Sequence, residues 1–156
     1  MCELANFKGP LTMSLSVGPA PPVLELVGER SSWTARQVAV ALLADRSTGR
    51  ISSGQRISMA NLESLREAQV EGSRYLYVET VAQGSPSFVD PQAQTYRHSL
   101  GVIAERDGFY YTLLASCPER LWPEVEPLYR SAIDSFRLLT PTDAYRAPDT
   151  SALQFW

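Results

Sequence analysis

The chain has 156 residues, 44% of them hydrophobic and 20% charged, with a formal net charge of −3. This length suits one domain with a single substantial core, and the composition is that of an ordinary globular protein. The weak negative charge argues against a broad electrostatic grip on nucleic acid, and no run approaches the ~20 consecutive apolar residues that span a membrane.

The first ten residues, MCELANFKGP, show neither a basic region followed by an apolar run nor an Arg/Ser-rich amphipathic stretch, so no targeting signal is visible in them. Leu11 to Val17 alternates as a strand should, with Met13, Leu15 and Val17 on one side and Thr12, Ser14 and Ser16 on the other. Pro19, Pro21 and Pro22 stop it, and Leu24 to Val27 reads as a short extended piece. Ser31, Ser32 and Thr34 offer N-caps to a helix that runs from Ala35 to about Arg46. Val38, Ala41 and Leu42 form its stripe, and Val40 and Leu43 widen it, which predicts burial of most of the circumference. Residues 47–58 are polar and contain glycine, hence a loop.

Residues 60–70 carry local helix propensity, yet the family pattern described below favours a strand with a bulge. Glu71-Gly72-Ser73 makes a tight turn into Arg74 to Val81, where Tyr75, Tyr77, Glu79 and Val81 share one face and Leu76, Val78 and Thr80 the other. Residues 83–94 form a Ser/Pro/Gly loop. Residues 95–106 and 109–116 are the arms of a hairpin around Asp107-Gly108, a pair suited to a type I′ turn because both central positions need positive φ. Both faces of these arms carry apolar weight, which predicts an antiparallel sheet covered on both sides. Tyr75, Tyr77, Tyr110 and Tyr111 read as cross-strand aromatic pairs. A last helix starts near Pro123 or Pro127, with Leu128, Ala132, Ile133 and Phe136 inward, and ends at Thr140-Pro141. The tail that follows lacks periodicity and closes on Leu153, Phe155 and Trp156. The elements sum to β–α–ββββ–α, an α+β layered fold.

One pattern in this chain is specific. Arg97-His98, Leu100, Ile103-Ala104, Asp107-Gly108, Tyr110-Tyr111, Leu113, Ala115, Arg120, Trp122 and Ser135-Phe136 together resemble the end of the PsbP domain. The resemblance spans about residues 11–138 and is concentrated in residues 94–138. It implies an α/β/α sandwich with a central antiparallel sheet, a PsbP-like domain over 11–138 and a C-terminal extension over 139–156. The family's usual opening strands have no counterpart here, so the resemblance also implies an N-terminally incomplete domain with an uncovered sheet edge.

Chemistry is sparse. The sequence has no G-x-S-x-G, no glycine-rich phosphate loop, no H-E-x-x-H and no G-x-G-x-x-G. The sole histidine is His98, so a nucleophilic triad would need it as the base, and no partner is placed beside it by sequence. One histidine with Cys2 and Cys117 makes no zinc site, and Cys117 reads as a small buried hydrophobe. Asp90, Glu105 and Asp107 are the carboxylates able to meet a hard cation at the hairpin end, although sparse surface carboxylates are ordinarily just solvated. His98 reads first as a structural group that hydrogen-bonds within the sheet or to a nearby carboxylate. Through the family's basic-histidine pair, Arg97 and His98 together also become a docking element, and an imidazole's ordinary pKa of ~6.5 makes a pH-sensitive contact conceivable.

The resemblance therefore implies a non-catalytic extrinsic protein of the chloroplast thylakoid lumen. Such a protein binds photosystem subunits, most simply those of photosystem II, and supports oxygen evolution or assembly. Its targeting sequence would lie upstream of Met1. Arg97, His98, Arg120 and Trp156 are its candidate partner-binding residues, and no cofactor is bound directly. Calcium enters only by family resemblance and through a partner's site. The basic residues are thirteen Arg and one Lys, Lys8, whereas the photosystem subunit relies on lysines. A PsbP-like or PsbP-domain relative is thus favoured over the core oxygen-evolving subunit. A Mog1-like module that engages a small GTPase on the same sandwich is the alternative, because fold does not fix function.

Overall fold

A computed structural model describes residues 2–5, 11–51, 57–84 and 96–139, with the backbone alone for 2–5, 44–51, 57–60 and 84. Six strands form one sheet: β1 Cys2–Ala5, β2 Thr12–Pro19, β3 Ile57–Val70, β4 Ser73–Gly84, β5 Tyr96–Arg106 and β6 Phe109–Pro118. Their order is β1-β2-β6-β5-β4-β3, and every neighbouring pair is antiparallel. The meander from β3 to β6 is closed by two tight turns. Glu71 (φ 50) with Gly72 (φ 78), and Asp107 (φ 50) with Gly108 (φ 86), supply the paired positive φ values of type I′ geometry. The bulge expected in β3 lies where the register shifts between Leu62 and Ser64.

Helices cover both faces, as the apolar weight on both sides of β5 and β6 requires. On one face, α1 (Pro22–Glu25), α2 (Ala35–Ile51) and Trp33 between them pack over the sheet, with Leu24, Val38, Ala39 and Ala41 of the helices against Leu76, Val78, Ile103 and Tyr110. On the other, α3 (Trp122–Ser135) packs Trp122, Tyr129 and Ile133 over Tyr75, Leu100, Val102, Ala104, Ala115 and Cys117. The sandwich is thus α/β/α and belongs to the α+β class. Gly101 is the point of closest approach, since a Cβ there would lie 2.8 Å from Leu114 Cδ1 and 3.2 Å from the Leu113 carbonyl oxygen.

The start of α2 is a capping box. Gln37 N–H donates to Thr34 Oγ1 at 3.3 Å, and Thr34 N–H donates back to Gln37 Oε1 at 2.8 Å. Trp33 Nε1 donates to the Gly28 carbonyl at 2.9 Å, seating the chain just before the helix. After α3, Phe136 leaves helical geometry (φ −63, ψ 127), and residues 136–139 run on as a strap. Leu138 N–H donates to the Tyr75 hydroxyl at 2.8 Å, and Arg106 donates to the carbonyls of Leu138 and Leu139.

Several expectations give way. β1 pairs with β2 and was not foreseen. Residues 24–27 are not extended: Pro22 opens the short helix α1, whose first turn Leu24 N–H closes by bonding to the Pro21 carbonyl at 2.9 Å. Helix α2 continues to Ile51 rather than stopping near Arg46, because an established helix propagates through weak formers such as Ser47 and Gly49 at small cost per residue. It lies against a single layer, so Val40 remains 48% exposed instead of joining the core. In α3 the buried stripe is Trp122, Tyr129 and Ile133, and Leu128 is 65% exposed. Trp122, seven residues before Tyr129, fixes the helix rotation, and Leu128 then falls one step off that face. The helix also ends at Ser135, five residues short of Thr140, because Phe136 turns inward to meet Tyr75 with ring centroids 6.4 Å apart. Tyr75 and Tyr77 neighbour each other along one strand rather than across two, and their cross-strand partners are Ala104 and Val102.

Candidate functional site

Strand alternation decides what His98 can reach. It shares the α3 face of β5 with Leu100, Val102 and Ala104, in register with Val81 on β4 and Cys117 on β6. It is 6% exposed. Its Nε2 lies 2.9 Å from Glu79 Oε1 and its Nδ1 2.8 Å from Glu119 Oε2. Glu79 belongs to the adjacent strand, and Glu119 to the 3-10 turn Glu119–Leu121 that joins β6 to α3. The imidazole lies flat on Trp122, with centroids 3.6 Å apart and planes 4° from parallel. Arg130, two turns into α3, donates to Glu79 Oε2 at 3.2 Å and to Glu126 Oε1 at 2.7 Å, with its guanidinium 5.8 Å from the Trp122 ring centroid.

The electrostatics follow from these contacts. Burial is the largest single influence on Glu79 and pushes its carboxyl upward. Hydrogen bonds from His98 and Arg130, with their charges, outweigh burial and hold it below the ordinary value. The Arg130 guanidinium is raised, first by its hydrogen bond to Glu126. Burial raises the Cys117 thiol despite the nearby Arg97 charge, and Cys117 is a free thiol. Carboxylates only accept hydrogen bonds, so each of these contacts is served by a ring N–H. Both ring nitrogens face partners within the fold. The arrangement clamps three elements together.

The sequence-derived candidates disperse. Arg97 projects to the opposite face from His98, where its Nε donates to Ser116 Oγ at 3.1 Å and its Nη2 to the Ser116 carbonyl at 3.2 Å. Adjacent residues of a strand project to opposite faces, so the Arg97 and His98 side chains do not come together. Arg120 is exposed in the turn before α3. Trp156 and Asp90 lie outside the described residues. Glu105 is engaged by Arg30, whose Nε and Nη2 lie 2.9 and 2.8 Å from its Oε1, and Asp107 is exposed at the turn tip. Among the described residues, no group of three or more His, Cys, Asp or Glu converges as metal ligands would.

Glu79, Glu119 and Arg130 were not singled out from the sequence. One signal existed: Glu79 continues the inward set of Tyr75 and Tyr77, and a carboxylate at such a position needs a buried partner. A shallow hollow beside the cluster, between β3, β4 and α3, is lined by Ser64, Arg66, Tyr77, Leu100, Arg130 and Asp134 among others, and His98 does not line it. Arg66 stacks on the Tyr77 ring there, with its guanidinium carbon 3.9 Å from the centroid.

Comparison with known proteins agrees with this architecture. The PsbP family model matches residues 16–138. PsbP domain-containing protein 5, chloroplastic, of Arabidopsis thaliana is 35% identical over 155 residues, which cover 99% of this chain and 52% of that protein. The chain thus spans about half the length of that relative. The solution structure of cyanobacterial PsbP from Synechocystis sp. PCC 6803 aligns with a TM-score of 0.56 at 18% identity, covering 83% of this chain and 68% of the other. At that identity the likeness shows the shared fold. The family match and the chloroplastic relative favour PsbP over the Mog1-like alternative.

Proposed function

The chain belongs to the PsbP family, and from that membership we propose that it is a non-catalytic protein peripheral to the lumenal face of the thylakoid membrane. There it binds a photosystem, photosystem II before others, or an assembly intermediate of one, and supports oxygen evolution or complex stability. The family match over residues 16–138 carries this reading. A chloroplastic relative supports the compartment, and no helix among the described residues is long and apolar enough to cross a membrane. The chemistry of His98 is in keeping with it, because both ring nitrogens serve carboxylates within the fold.

Docking then rests on outward-facing groups. Arg36 and Arg120 are exposed and present planar guanidinium forks suited to carboxylates on a partner. Attachment of this kind weakens with salt. Any influence on calcium is indirect, through covering or ordering a site on the partner.

Fractionated thylakoids test the proposal. The protein should be found with the lumenal side of the membrane, come off in a high-salt wash, and co-purify with photosystem subunits before the wash. A stromal location, or a lumenal protein that brings down no photosystem subunit at low salt, would overturn it.

A further inference from the structure

We infer that residues 140–156 fold back over an open apolar strip on the α3 face of the sheet, formed by Leu15, Val17, Phe109, Tyr111 and Leu113, with Leu153, Phe155 and Trp156 supplying the contacts. This docking is independent of which complex the protein binds.

The strip follows from strand alternation. In β2 the apolar residues Met13, Leu15 and Val17 take one side, and Thr12, Ser14 and Ser16 the other. Register places Met13, Leu15 and Val17 opposite Ala115, Leu113 and Tyr111 of β6. Ala115 belongs to the core beneath α3, so the apolar side of β2 faces the α3 layer. Helix α3 lies over β5 and β6. It stops short of the strip: Val17 is 53% and Phe109 46% exposed, and Leu15, Tyr111 and Leu113 are only half-buried. A contiguous apolar surface left open in this way marks a contact site.

The route of the chain selects the occupant. The strap after α3 is bonded first to β4, where Leu138 N–H meets the Tyr75 hydroxyl, and then to β5, where Arg106 donates to the carbonyls of Leu138 and Leu139. The next strands in that direction are β6 and β2. Arg106 lies opposite Phe109 across the hairpin, so the strap delivers the chain to the near end of the strip, and Leu139 is itself 80% exposed. Residues 140–156 follow and lie outside the described residues. Neighbouring strands are ~4.8 Å apart, so the step from β5 to β2 is about 10 Å. Residues 140–152 span roughly 40 Å when extended, which gives Leu153, Phe155 and Trp156 ample reach. These three side chains match an apolar surface, and covering it removes apolar area from water on both sides of the contact.

NMR of the full chain tests the docking. Nuclear Overhauser cross-peaks should join the ring protons of Phe155 or Trp156 to the methyl groups of Leu15 or Val17. Val17→Asp sets a charge in the strip at a half-exposed position, and these cross-peaks should be lost, because covering the strip would strand an unpaired carboxylate. Trp156→Ala leaves the sheet untouched and should shift the Leu15 and Val17 methyl resonances. Leu128→Ser, at an exposed position of α3, should retain the wild-type cross-peaks. A mixture of isotope-labelled and unlabelled chains separates the segment's own domain from a second copy, and cross-peaks between labelled and unlabelled chains would overturn the inference. Absence of the cross-peaks in the wild-type chain, which would leave the strip to another partner, overturns it, as do Leu15 and Val17 resonances unmoved by Trp156→Ala or cross-peaks undiminished in Val17→Asp.

Discussion

Replacing Tyr75 with phenylalanine removes one oxygen and leaves the ring in place. The hydroxyl is the acceptor for Leu138 N–H at 2.8 Å, and Tyr75 and Leu138 are 2% and 8% exposed. Without it, a backbone donor is stranded in a closed interior where water cannot replace the lost partner. An unsatisfied buried donor costs about 1–3 kcal/mol, and the low exposure of both residues places Tyr75→Phe near the middle, about 2 kcal/mol. For a domain of this size that is a fall of roughly 4–8 °C in Tm. Tyr129→Phe makes an instructive contrast. Its hydroxyl donates to the Ser116 carbonyl at 3.1 Å in an equally buried place. That carbonyl also accepts from Arg97 Nη2 at 3.2 Å and from Thr12 Oγ1 at 3.4 Å, so it stays satisfied. Its loss should cost ~0.5–1 kcal/mol, the net worth of an ordinary hydrogen bond. Urea unfolding followed by circular dichroism, with a shared m-value, separates the two, and the Leu138 amide should lose exchange protection in Tyr75→Phe alone. Equal losses in both variants, or a Tyr75→Phe loss below about 0.5 kcal/mol, would show that the strap does not depend on this bond.

Glu79 sets an acid limit on stability. Its carboxyl lies below the ordinary value of 4.5 in the folded state, so its contribution is complete above the unfolded-state value and drains away as pH falls through the lowered folded one. Glu79→Gln should therefore flatten the loss of unfolding free energy between about pH 5 and pH 3, and an unchanged slope in that window would count against the assignment. Gly101→Ala should cost about 1–3 kcal/mol by overpacking, because its Cβ would meet Leu114, the Leu113 carbonyl and Val78 at 2.8 to 3.2 Å. A neutral result in urea melts would mean the sheet yields there more readily than close-packed interiors do. Leu128→Ser, at a side 65% exposed, should change stability by no more than ~0.5 kcal/mol. A larger loss would put Leu128 back in the stripe that the sequence pattern suggests.

The hairpin and the two covered faces were legible because each rests on a local rule: an Asp-Gly pair, and apolar weight on both sides of a strand. β3 with its bulge was read from the family pattern, against local helix propensity. The rotation of α3 was not, because helical periodicity admits Leu128 and Tyr129 almost equally. The choice is made by Trp122 stacking on a histidine 24 positions earlier, a contact between distant parts of the chain. The candidate site was half legible. His98 was visible as the sole histidine and was expected to bond within the sheet or to a carboxylate, but which groups meet it depends on strand register. Glu119 lies in a turn, where a charge is unremarkable. Arg97 was paired with His98 through the family's basic-histidine pair, and strand alternation sends the two side chains to opposite faces.

The residues that carry the family resemblance occupy joints of the fold. His98 and Trp122 stack, Asp107 and Gly108 make the turn, Leu100, Ala104 and Ala115 line the core beneath α3, and Phe136 closes the helix against Tyr75. Most of these contacts lie within residues 96–138, so β5, β6 and α3 form one largely local unit, which favours early assembly. A signature made of joints specifies how the sandwich is locked and says little about what it touches. Exposed groups outside the signature, among them Arg36 and the 88% exposed Leu26, are not constrained by those joints. Relatives that share the signature can therefore keep the same locked fold while differing in the complex they bind. Exchanging exposed residues between relatives should move binding without moving stability, whereas exchanges at His98, Trp122 or Glu79 should do the reverse.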